Sequence, residues 1–425
     1  MTTHPYAGRT SVLALGTFAV GTSGYVVAGL LPALTAELHV SAATAAQLVT
    51  AFAIAYAIGS PLFAAATGRW ERRTLLVVAL LVTALGNVLA ALAPGYGLLF
   101  AARMVTAIGA AVFTPAASMV AAELNPPHRR GRAVAAVFGG LTLATILGVP
   151  LGSLLSGPLG YRWVFALVAV FSVLGALAVR LALPAVAPPP PVPLAQRFTV
   201  ARDPRALAVL VTTVLGCLAA FSVYTFVTPV LAATAGVTGT TVSLLLLCYG
   251  IGGALGNYAG GRAADRWGSR RPLIVVIASL TVVLLTLPLI ATSVPGAAIA
   301  LLLWGLTTWS FNPPVQHRLI ELGGSNAGLL LSLNASAIYL GVGLSGVVGG
   351  IVLTNAGPTA LPPVAAALTA VGGLVVLLFG WRSPARAQSA PADTGPGAAG
   401  ASAVSRGVPR PHSPVRDRPA VRARR

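Results

Sequence analysis

The sequence is poor in charge, contains no lysine and has only two cysteines. Charged residues make up 8% of its 425 positions, whereas 56% are hydrophobic and the mean hydropathy is +0.87. A soluble domain of this length needs a polar surface that such a composition does not supply. Cys217 and Cys248 both lie in apolar runs, so the chain offers neither a disulfide framework nor the spacing of a metal site.

Apolar stretches long enough to cross a bilayer recur along the chain, and glycine and proline are as frequent as in membrane helices. The sequence therefore predicts an all-α polytopic membrane protein with twelve transmembrane helices. We place these spans at about 11–31, 45–66, 74–93, 98–121, 133–156, 163–183, 206–232, 241–261, 272–292, 296–316, 327–353 and 359–380.

The arginines lie on one side of this arrangement. Alternate connections hold Arg69, Arg72, Arg73, Arg129, Arg130, Arg132, Arg197, Arg202, Arg205, Arg262, Arg266, Arg270, Arg271 and Arg318, whereas the opposite set holds only Arg162. Because positive charge marks the cytoplasmic side, we expect a multi-pass protein of the cell (inner) membrane with both termini in the cytoplasm. The net charge of +19 then reflects topology, and we expect no nucleic-acid partner.

The longest internal connection, 184–205, contains a proline run and divides the spans six and six. It predicts an extended cytoplasmic linker between an N-terminal six-helix bundle (1–183) and a C-terminal one (206–381). Residues 382–425 lack a hydrophobic period and predict a disordered basic cytoplasmic tail. The charged connections GRWERR (68–73) and GRAADRWGSRR (261–271) hold equivalent places in the halves, and such parallel repeats are typical of secondary transporters.

Several stretches resemble the major facilitator superfamily, most of all its twelve-span drug:proton antiporters that export chloramphenicol, sugars or nucleosides. GRAADRWGSRR is similar to the loop signature G-x-x-x-D-R-x-G-R-R, and LGVPLG (147–152) is similar to the antiporter glycine–proline signature. GTSGYVVAGLLPALTAEL (21–38) and SLNASAIYLG (332–341) are typical of the group. The resemblance covers about residues 10–380 and implies two bundles related by a pseudo-two-fold axis, a monomer and proton-coupled export.

Arg103 occupies the place of that family's intramembrane arginine. A charge inside a span is costly unless it is paired or hydrated, so Arg103 predicts a cavity-facing cation with a role in substrate binding or proton coupling. The alternative is that its side chain extends to the outer headgroups.

Asp265 with Arg266 and Arg270 predicts a latch that holds the two bundles together on the cytoplasmic side and breaks when the protein turns inward. The alternative is a charge cluster that only sets topology. Gly148, Pro150 and Gly152 are expected to interrupt the hydrogen bonds of span 5 and allow close packing at the bundle interface, or to form an ordinary glycine-rich helix contact.

The sequence departs from related exporters in span 1, where Gly24 stands in place of a frequent acidic residue. The eight acids are Glu37, Glu71, Glu123, Asp203, Asp265, Glu321, Asp393 and Asp417, and none falls in the middle of a predicted span. Proton coupling would then run through Glu123 or Asp265, through Glu37 or His39 at the outer mouth, or through Arg103 and ordered water. An uncoupled facilitator is the remaining alternative.

With Arg103 as the only deep charge, the cavity favours neutral or anionic solutes over organic cations. Candidate lining residues are the polar and aromatic side chains within spans: Tyr25, Gln47, Tyr56, Phe113, Tyr224, Tyr249, Asn257, Asn312, Asn334 and Tyr339. Each of them is also a candidate for interhelical packing. Trp163, Trp304 and Trp381 are expected to mark membrane interfaces.

The leading hypothesis is an efflux transporter that exchanges a small drug, sugar, nucleoside or metabolite for protons by rocker-switch alternating access. A metabolite importer or symporter, an uncoupled facilitator and a non-transporting membrane receptor are the alternatives. No metal spacing, nucleophile–base pair or phosphate loop indicates an enzyme or a cofactor. The expected partners are the solute, protons and the lipid bilayer.

Overall fold

The computed structural model describes residues 9–126, 130–188, 203–324 and 327–381. Eleven of its helices are long and apolar enough to cross a membrane, and a bent pair at the start supplies a twelfth span. The predicted twelve-span, all-α membrane architecture is therefore confirmed. The predicted tail from residue 382 and most of the linker, 189–202, lie outside the described residues, as does Arg129.

Six spans precede the linker and six follow it. The first six are span 1 (Leu13–Tyr25 and Val27–Leu38), span 2 (Ala42–Ala66), span 3 (Arg72–Leu92), span 4 (Tyr96–Glu123), span 5 (Arg130–Leu143, a π-helical turn at Ala144–Gly148, and Val149–Leu159) and span 6 (Tyr161–Ala182). The others are span 7 (Pro204–Thr225 and Val227–Ala235), span 8 (Thr240–Trp267), span 9 (Arg270–Ile290), span 10 (Val294–Ser310 and Asn312–Gly323), span 11 (Ala327–Ala356) and span 12 (Leu361–Phe379).

The predicted ranges agree with these helices except at three ends. Spans 1, 8 and 10 continue to Leu38, Trp267 and Gly323, several residues beyond the predicted limits. Hydropathy marks where a helix leaves the apolar layer, not where its backbone hydrogen bonds stop. Span 8 ends at Gly268, whose φ of 72° is a conformation that favours glycine, which explains the glycine inside this charged connection.

Three spans bend or break. Span 1 turns by 46° between Tyr25 and Val27, and span 7 is interrupted at Phe226, the equivalent place in the second half. Pro229 has no N–H to donate to the Thr225 carbonyl, so a proline accounts for the break in span 7. Tandem prolines after Phe311 have the same effect in span 10.

The two halves meet through a subset of spans. Span 2 packs along span 11, span 5 along span 8, and the second segment of span 1 against span 7. Spans 3, 6, 9 and 12 pack on spans of their own half. We call the side of the Gly68–Arg73 and Gly261–Arg271 connections the arginine-rich side, and the opposite side, which carries Arg162, the arginine-poor side.

Glu71 fixes the connection between spans 2 and 3. Its carboxylate accepts hydrogen bonds from the backbone N–H groups of Arg73 and Thr74, both at 2.8 Å, and from the Thr74 hydroxyl at 2.6 Å, so it caps span 3. It also accepts the Val186 N–H at 2.8 Å, and Arg73 donates to the Leu183 carbonyl at 3.2 Å. The start of the linker is therefore bound to the connection between spans 2 and 3.

These hydrogen bonds set the ionisation of Glu71. Burial alone would raise its pKa, but the donors on Thr74, Val186 and Arg73 outweigh that effect and lower the pKa from 4.5 to about 2. Because the folded pKa lies below the unfolded value, the stabilisation is complete above about pH 4.5 and is lost as the pH falls towards 2.

We expect Glu71→Ala to lower the free energy of unfolding by about 1–2 kcal/mol, because the cap of span 3 is lost and the Val186 N–H loses its acceptor. Thermal denaturation of the purified protein in detergent measures the change. Glu123→Ala is the control, since Glu123 is exposed at the end of span 4. The difference between Glu71→Ala and wild type should stay constant from about pH 6 to 8, and equal melting temperatures would contradict the assignment.

Candidate functional site

Arg103 in span 4 is completely buried. Its guanidinium donates to the Ser23 carbonyl at 2.7 Å and to the Gly24 carbonyl at 3.5 Å, and it lies 4.5 Å from the centre of the Phe52 ring. The Phe165 ring lies on another side at 5.9 Å. The side chain thus turns into the bundle and does not extend to the headgroups. The sequence predicted a cavity-facing cation, but in this conformation Arg103 does not face a cavity, because the backbone carbonyls of span 1 and the Phe52 and Phe165 rings enclose it.

The partners of Arg103 sit immediately before the bend of span 1. The Ser23 hydroxyl lies 3.4 Å from the guanidinium and donates to the Asn87 side-chain oxygen at 3.0 Å, so spans 1, 3 and 4 share one polar network. No carboxylate belongs to this network among the described residues, and the Nε of Arg103 has no hydrogen-bond partner there. The cation is held by carbonyl dipoles and aromatic faces instead of a counter-ion.

Aromatic side chains fill the centre of the second half. The Tyr249 ring lies 5.0 Å from Tyr224 and 4.7 Å from Trp304, measured between ring centroids. Trp304 is completely buried, so the expectation that it marks a membrane interface is wrong, whereas Trp163 is 61% exposed. The predicted ranges themselves separate these two tryptophans, because Trp163 follows Arg162 at the start of span 6 and Trp304 lies in the middle of span 10.

Aromatic contacts join the halves at two places on the same level. Tyr25, at the bend of span 1, stacks on Phe221 of span 7 at 5.6 Å and meets Trp309 of span 10 edge-on at 6.2 Å. Tyr56 of span 2 stacks on Tyr339 of span 11 at 3.5 Å. Five predicted cavity residues therefore gather at the centre, where rings from the two halves pack against one another. They are Tyr25, Tyr56, Tyr224, Tyr249 and Tyr339.

Three hydrogen bonds join the halves on the arginine-poor side of this aromatic layer. Gln47 donates to the Gly346 carbonyl at 3.3 Å, and Thr50 donates to the Gly343 carbonyl at 2.8 Å. The third joins the Ser153 and Ser243 hydroxyls at 2.9 Å. We call these contacts the outer clamp. Gln47, a predicted cavity residue, thus belongs to a contact between spans 2 and 11.

Glycine allows this close approach on one side only. A Cβ on Gly250 of span 8 would lie 2.6 Å from the Ile146 Cα of span 5, and one on Gly343 would lie 2.9 Å from Ile54 of span 2. Nearer the arginine-rich side, Gly261 and Gly328 on the same two spans have open space around them. The contacts at Gly250, at Gly343 and at the outer clamp all lie in the centre or on the arginine-poor side.

The charged connection between spans 8 and 9 does not form the predicted latch in this conformation. Asp265, Arg266 and Arg270 are all exposed, and Asp265 has no ion pair among the described residues. Arg266 lies over the Trp267 ring and Arg270 over the Trp381 ring, at 5.4 Å and 5.6 Å. The structure does not bring these predicted latch residues together.

A different acid is paired on the arginine-rich side of the second half. Glu321 binds Arg318 at 3.1 Å and accepts a hydrogen bond from the Ser269 hydroxyl at 2.8 Å. Arg318 also donates to the Gly380 carbonyl at 2.7 Å and lies 4.2 Å from the Trp381 ring centre. This cluster ties together spans 9, 10 and 12 of one half. The spacing of Arg318 and Glu321, three residues apart on one helix, could have predicted their ion pair from the sequence.

Span 5 carries a contact that differs from the one predicted for Gly148, Pro150 and Gly152. Pro150 has no N–H for the Ile146 carbonyl, and the turn before it, Ala144–Gly148, is π-helical, so the expected interruption is present. Gly148 and Gly152 face Thr22 and Val26 of span 1, inside their own half. The closest backbone approach to span 8 comes instead from this π-turn, and Ser153 adds the hydrogen bond with Ser243.

The remaining predicted residues lie outside the centre or serve packing. Phe113 is completely buried against Gly16 of span 1, and Asn334 accepts a hydrogen bond from the Thr213 hydroxyl at 3.0 Å. Asn257 is half-buried, and Glu123 is exposed at the end of span 4. The sequence did not single out five side chains that join the halves, because residues of these types are common throughout membrane spans. They are Trp309, Phe221, Thr50, Ser153 and Ser243.

Comparison with known proteins places this architecture in a family. The model of the Major Facilitator Superfamily matches residues 13–326 and, in a second match, residues 209–422. The crystal structure of a D-xylose–proton symporter superposes with a TM-score of 0.72 at 17% identity, covering 89% of this chain and 98% of that protein. The predicted fold, two six-helix bundles with pseudo-two-fold symmetry, is therefore confirmed.

Sequence relatives are membrane transporters. The inner membrane transport protein YdhP of Escherichia coli K12 is 34% identical over 368 residues, which cover 86% of this chain and 93% of the relative. A chloramphenicol resistance protein of Streptomyces lividans is 35% identical over 284 residues, 66% of this chain and 71% of that protein. A chloramphenicol efflux pump of Mycobacterium tuberculosis is 29% identical over 394 residues, 89% and 93% of the two chains. The chain belongs to the major facilitator superfamily of membrane transporters.

Proposed function

We propose that this transporter exports small neutral or anionic amphiphilic solutes from the cytoplasm in exchange for protons, by rocker-switch alternating access. The observation that carries the proposal is the centre of the molecule, where aromatic rings surround a buried cation and no carboxylate lies nearby among the described residues. An organic cation would meet the positive charge of Arg103 without a counter-ion. A neutral solute with an aromatic ring would exchange one set of ring contacts for another.

The relatives favour export and suggest a class of substrate. Two of them are named for chloramphenicol resistance or efflux. Chloramphenicol is a neutral molecule with one aromatic ring and several polar groups, and such a solute suits tyrosines and tryptophans that combine an apolar ring with a polar edge. We therefore choose it as the first probe.

The conformation supports alternating access between the two halves. If the arginine-rich side is cytoplasmic, the outer clamp closes the external entrance and the described state faces inward. Opening outward would break the three clamp hydrogen bonds and bring spans 2, 5, 8 and 11 together at their cytoplasmic ends. An exposed, unpaired Asp265 is what the latch hypothesis requires of an inward-facing state, and we propose that it pairs when the halves close there.

Arg103 is positioned to couple the first half to the substrate. It holds the Ser23 and Gly24 carbonyls, and the next residue, Tyr25, contacts the second half. A change in the hydration or contacts of Arg103 would therefore change the bend of span 1 and the position of the Tyr25 ring. Proton entry through Glu123, Asp265 or Glu37 remains compatible with this route, because all three lie at span ends.

Transport in cells lacking their major drug exporters tests the function. We expect cells expressing this protein to accumulate less labelled chloramphenicol than vector controls, and a protonophore should abolish the difference. Lower accumulation that survives the protonophore would contradict proton exchange. Higher accumulation would indicate an importer, and equal accumulation with chloramphenicol, a sugar and a nucleoside would contradict export of this class.

We expect Arg103→Gln to reduce chloramphenicol export by about tenfold or more, because two hydrogen bonds from a charged donor to the bend of span 1 are lost. Initial efflux rates from preloaded cells, corrected for protein in the membrane, measure the effect. Arg180→Gln is the matched control, since Arg180 is exposed at the end of span 6. Normal efflux by correctly inserted Arg103→Gln would contradict the coupling role.

We expect a disulfide across the outer clamp to stop transport. Ser153→Cys combined with Ser243→Cys, with Cys217 and Cys248 replaced by alanine, places two thiols where hydroxyls now lie 2.9 Å apart. Oxidation should block chloramphenicol efflux and a reducing agent should restore it. Each single cysteine variant should be insensitive to oxidation, and full transport by the cross-linked protein would exclude opening at this place.

A further inference from the structure

A groove runs along the outer surface of the first half, between spans 3 and 6. Its volume is about 430 Å³, and alanine, valine and leucine side chains line it. Val88, Ala91 and Leu92 form one wall, and Ala166, Ala169 and Val173 form the other. Spans 3 and 6 pack on spans of their own half, and Leu92 and Val173 are 72% and 47% exposed, so the groove opens towards the bilayer.

Arg162 stands at the arginine-poor end of the groove. It precedes Ala166 by one helical turn on the same face of span 6, and it donates to the Ala93 carbonyl, next to Leu92, at 3.2 Å. Its guanidinium therefore bridges both walls where the groove meets the membrane surface. Next to it, Trp163 is 61% exposed, as expected of a side chain at the headgroup level.

The charge of Arg162 is only partly compensated. Its ion pair with Glu37 is long, at 3.9 Å, and the two side chains are 47% and 36% exposed. A guanidinium has five N–H donors, more than these contacts use, and it suits phosphate oxygens in two-fold hydrogen bonding. An arginine at the mouth of an apolar groove matches a molecule with an anionic head and a hydrocarbon chain.

We propose that the groove holds an acyl chain of one phospholipid from the adjoining leaflet, with the lipid phosphate bound by Arg162. The chain would lie along the six apolar side chains of spans 3 and 6, and the head would be fixed by charge and hydrogen bonds. Other lipids around the protein exchange freely. At this site the protein offers a concave apolar surface for the chain and an arginine for the headgroup. The site is independent of the transported solute.

Native mass spectrometry of the detergent-purified full chain, titrated with phosphatidylglycerol, tests the proposal. We expect one tightly bound lipid per chain, and Arg162→Gln should weaken its binding by about tenfold or more. Arg180→Gln, at the other end of span 6, should leave the affinity unchanged. Diacylglycerol, which lacks the phosphate, should bind wild type and Arg162→Gln equally weakly.

A second variant tests the groove without touching the arginine. Ala166→Phe places a ring in the groove and should also weaken phosphatidylglycerol binding, whereas Leu181→Phe, an exposed position at the far end of the same helix, should not. Equal affinity in wild type, Arg162→Gln and Ala166→Phe would overturn the proposal. So would a mass of two protein chains without lipid, which would assign the groove to a second copy.

Discussion

The contact between the Arg103 guanidinium and the carbonyls before the bend of span 1 is the interaction on which the centre of this transporter depends. A buried cation without a carboxylate is stable only where dipoles and ring faces surround it; the residues before the bend supply the dipoles, and Phe52 and Phe165 supply the rings. The same bend presents Tyr25 to the second half. The position of one charge is thus linked to the aromatic layer that separates the two sides of the membrane.

The two halves are held together unevenly along their length. Close approach of glycine backbones and the outer clamp join them on the arginine-poor side, aromatic rings join them at the centre, and spans 8 and 11 have open space near the arginine-rich side. Neutral hydrogen bonds between membrane helices contribute only about 0.5–1 kcal/mol each. A clamp of three such bonds is strong enough to favour one state and weak enough for substrate or proton binding to reverse the preference.

The sequence predicted the architecture because hydropathy and the arrangement of arginines act over long stretches. Span positions, the six-plus-six division and the intramembrane position of Arg103 depend on composition or on the cost of an intramembrane charge, and both can be read without contacts. The bend that receives Arg103 could not be predicted, since no proline or glycine pair marks its place at Val26. The outer clamp was missed because serine and threonine are common in membrane helices, and only the packing shows which ones face the other half.

The charged connections illustrate the same limit. GRAADRWGSRR matched a known signature, yet its aspartate is exposed. The less complete GRWERR contains Glu71, whose carboxylate accepts four hydrogen bonds. A motif identifies which side chains are available, and the neighbouring chain decides which of them find partners. For Glu71 the decisive neighbour was Val186, more than a hundred residues away in the sequence.

That attachment has a mechanical consequence. With Leu183 and Val186 bound to the first half, the chain that connects the two halves is reduced to the residues between Val186 and Asp203, and Asp203 caps span 7. A chain of that length reaches at most about 60 Å when fully extended. The attachment at Glu71 thus anchors one end of this connection beside span 3, the Asp203 cap anchors the other end at span 7, and the length of chain between the two anchors limits how far apart they can lie.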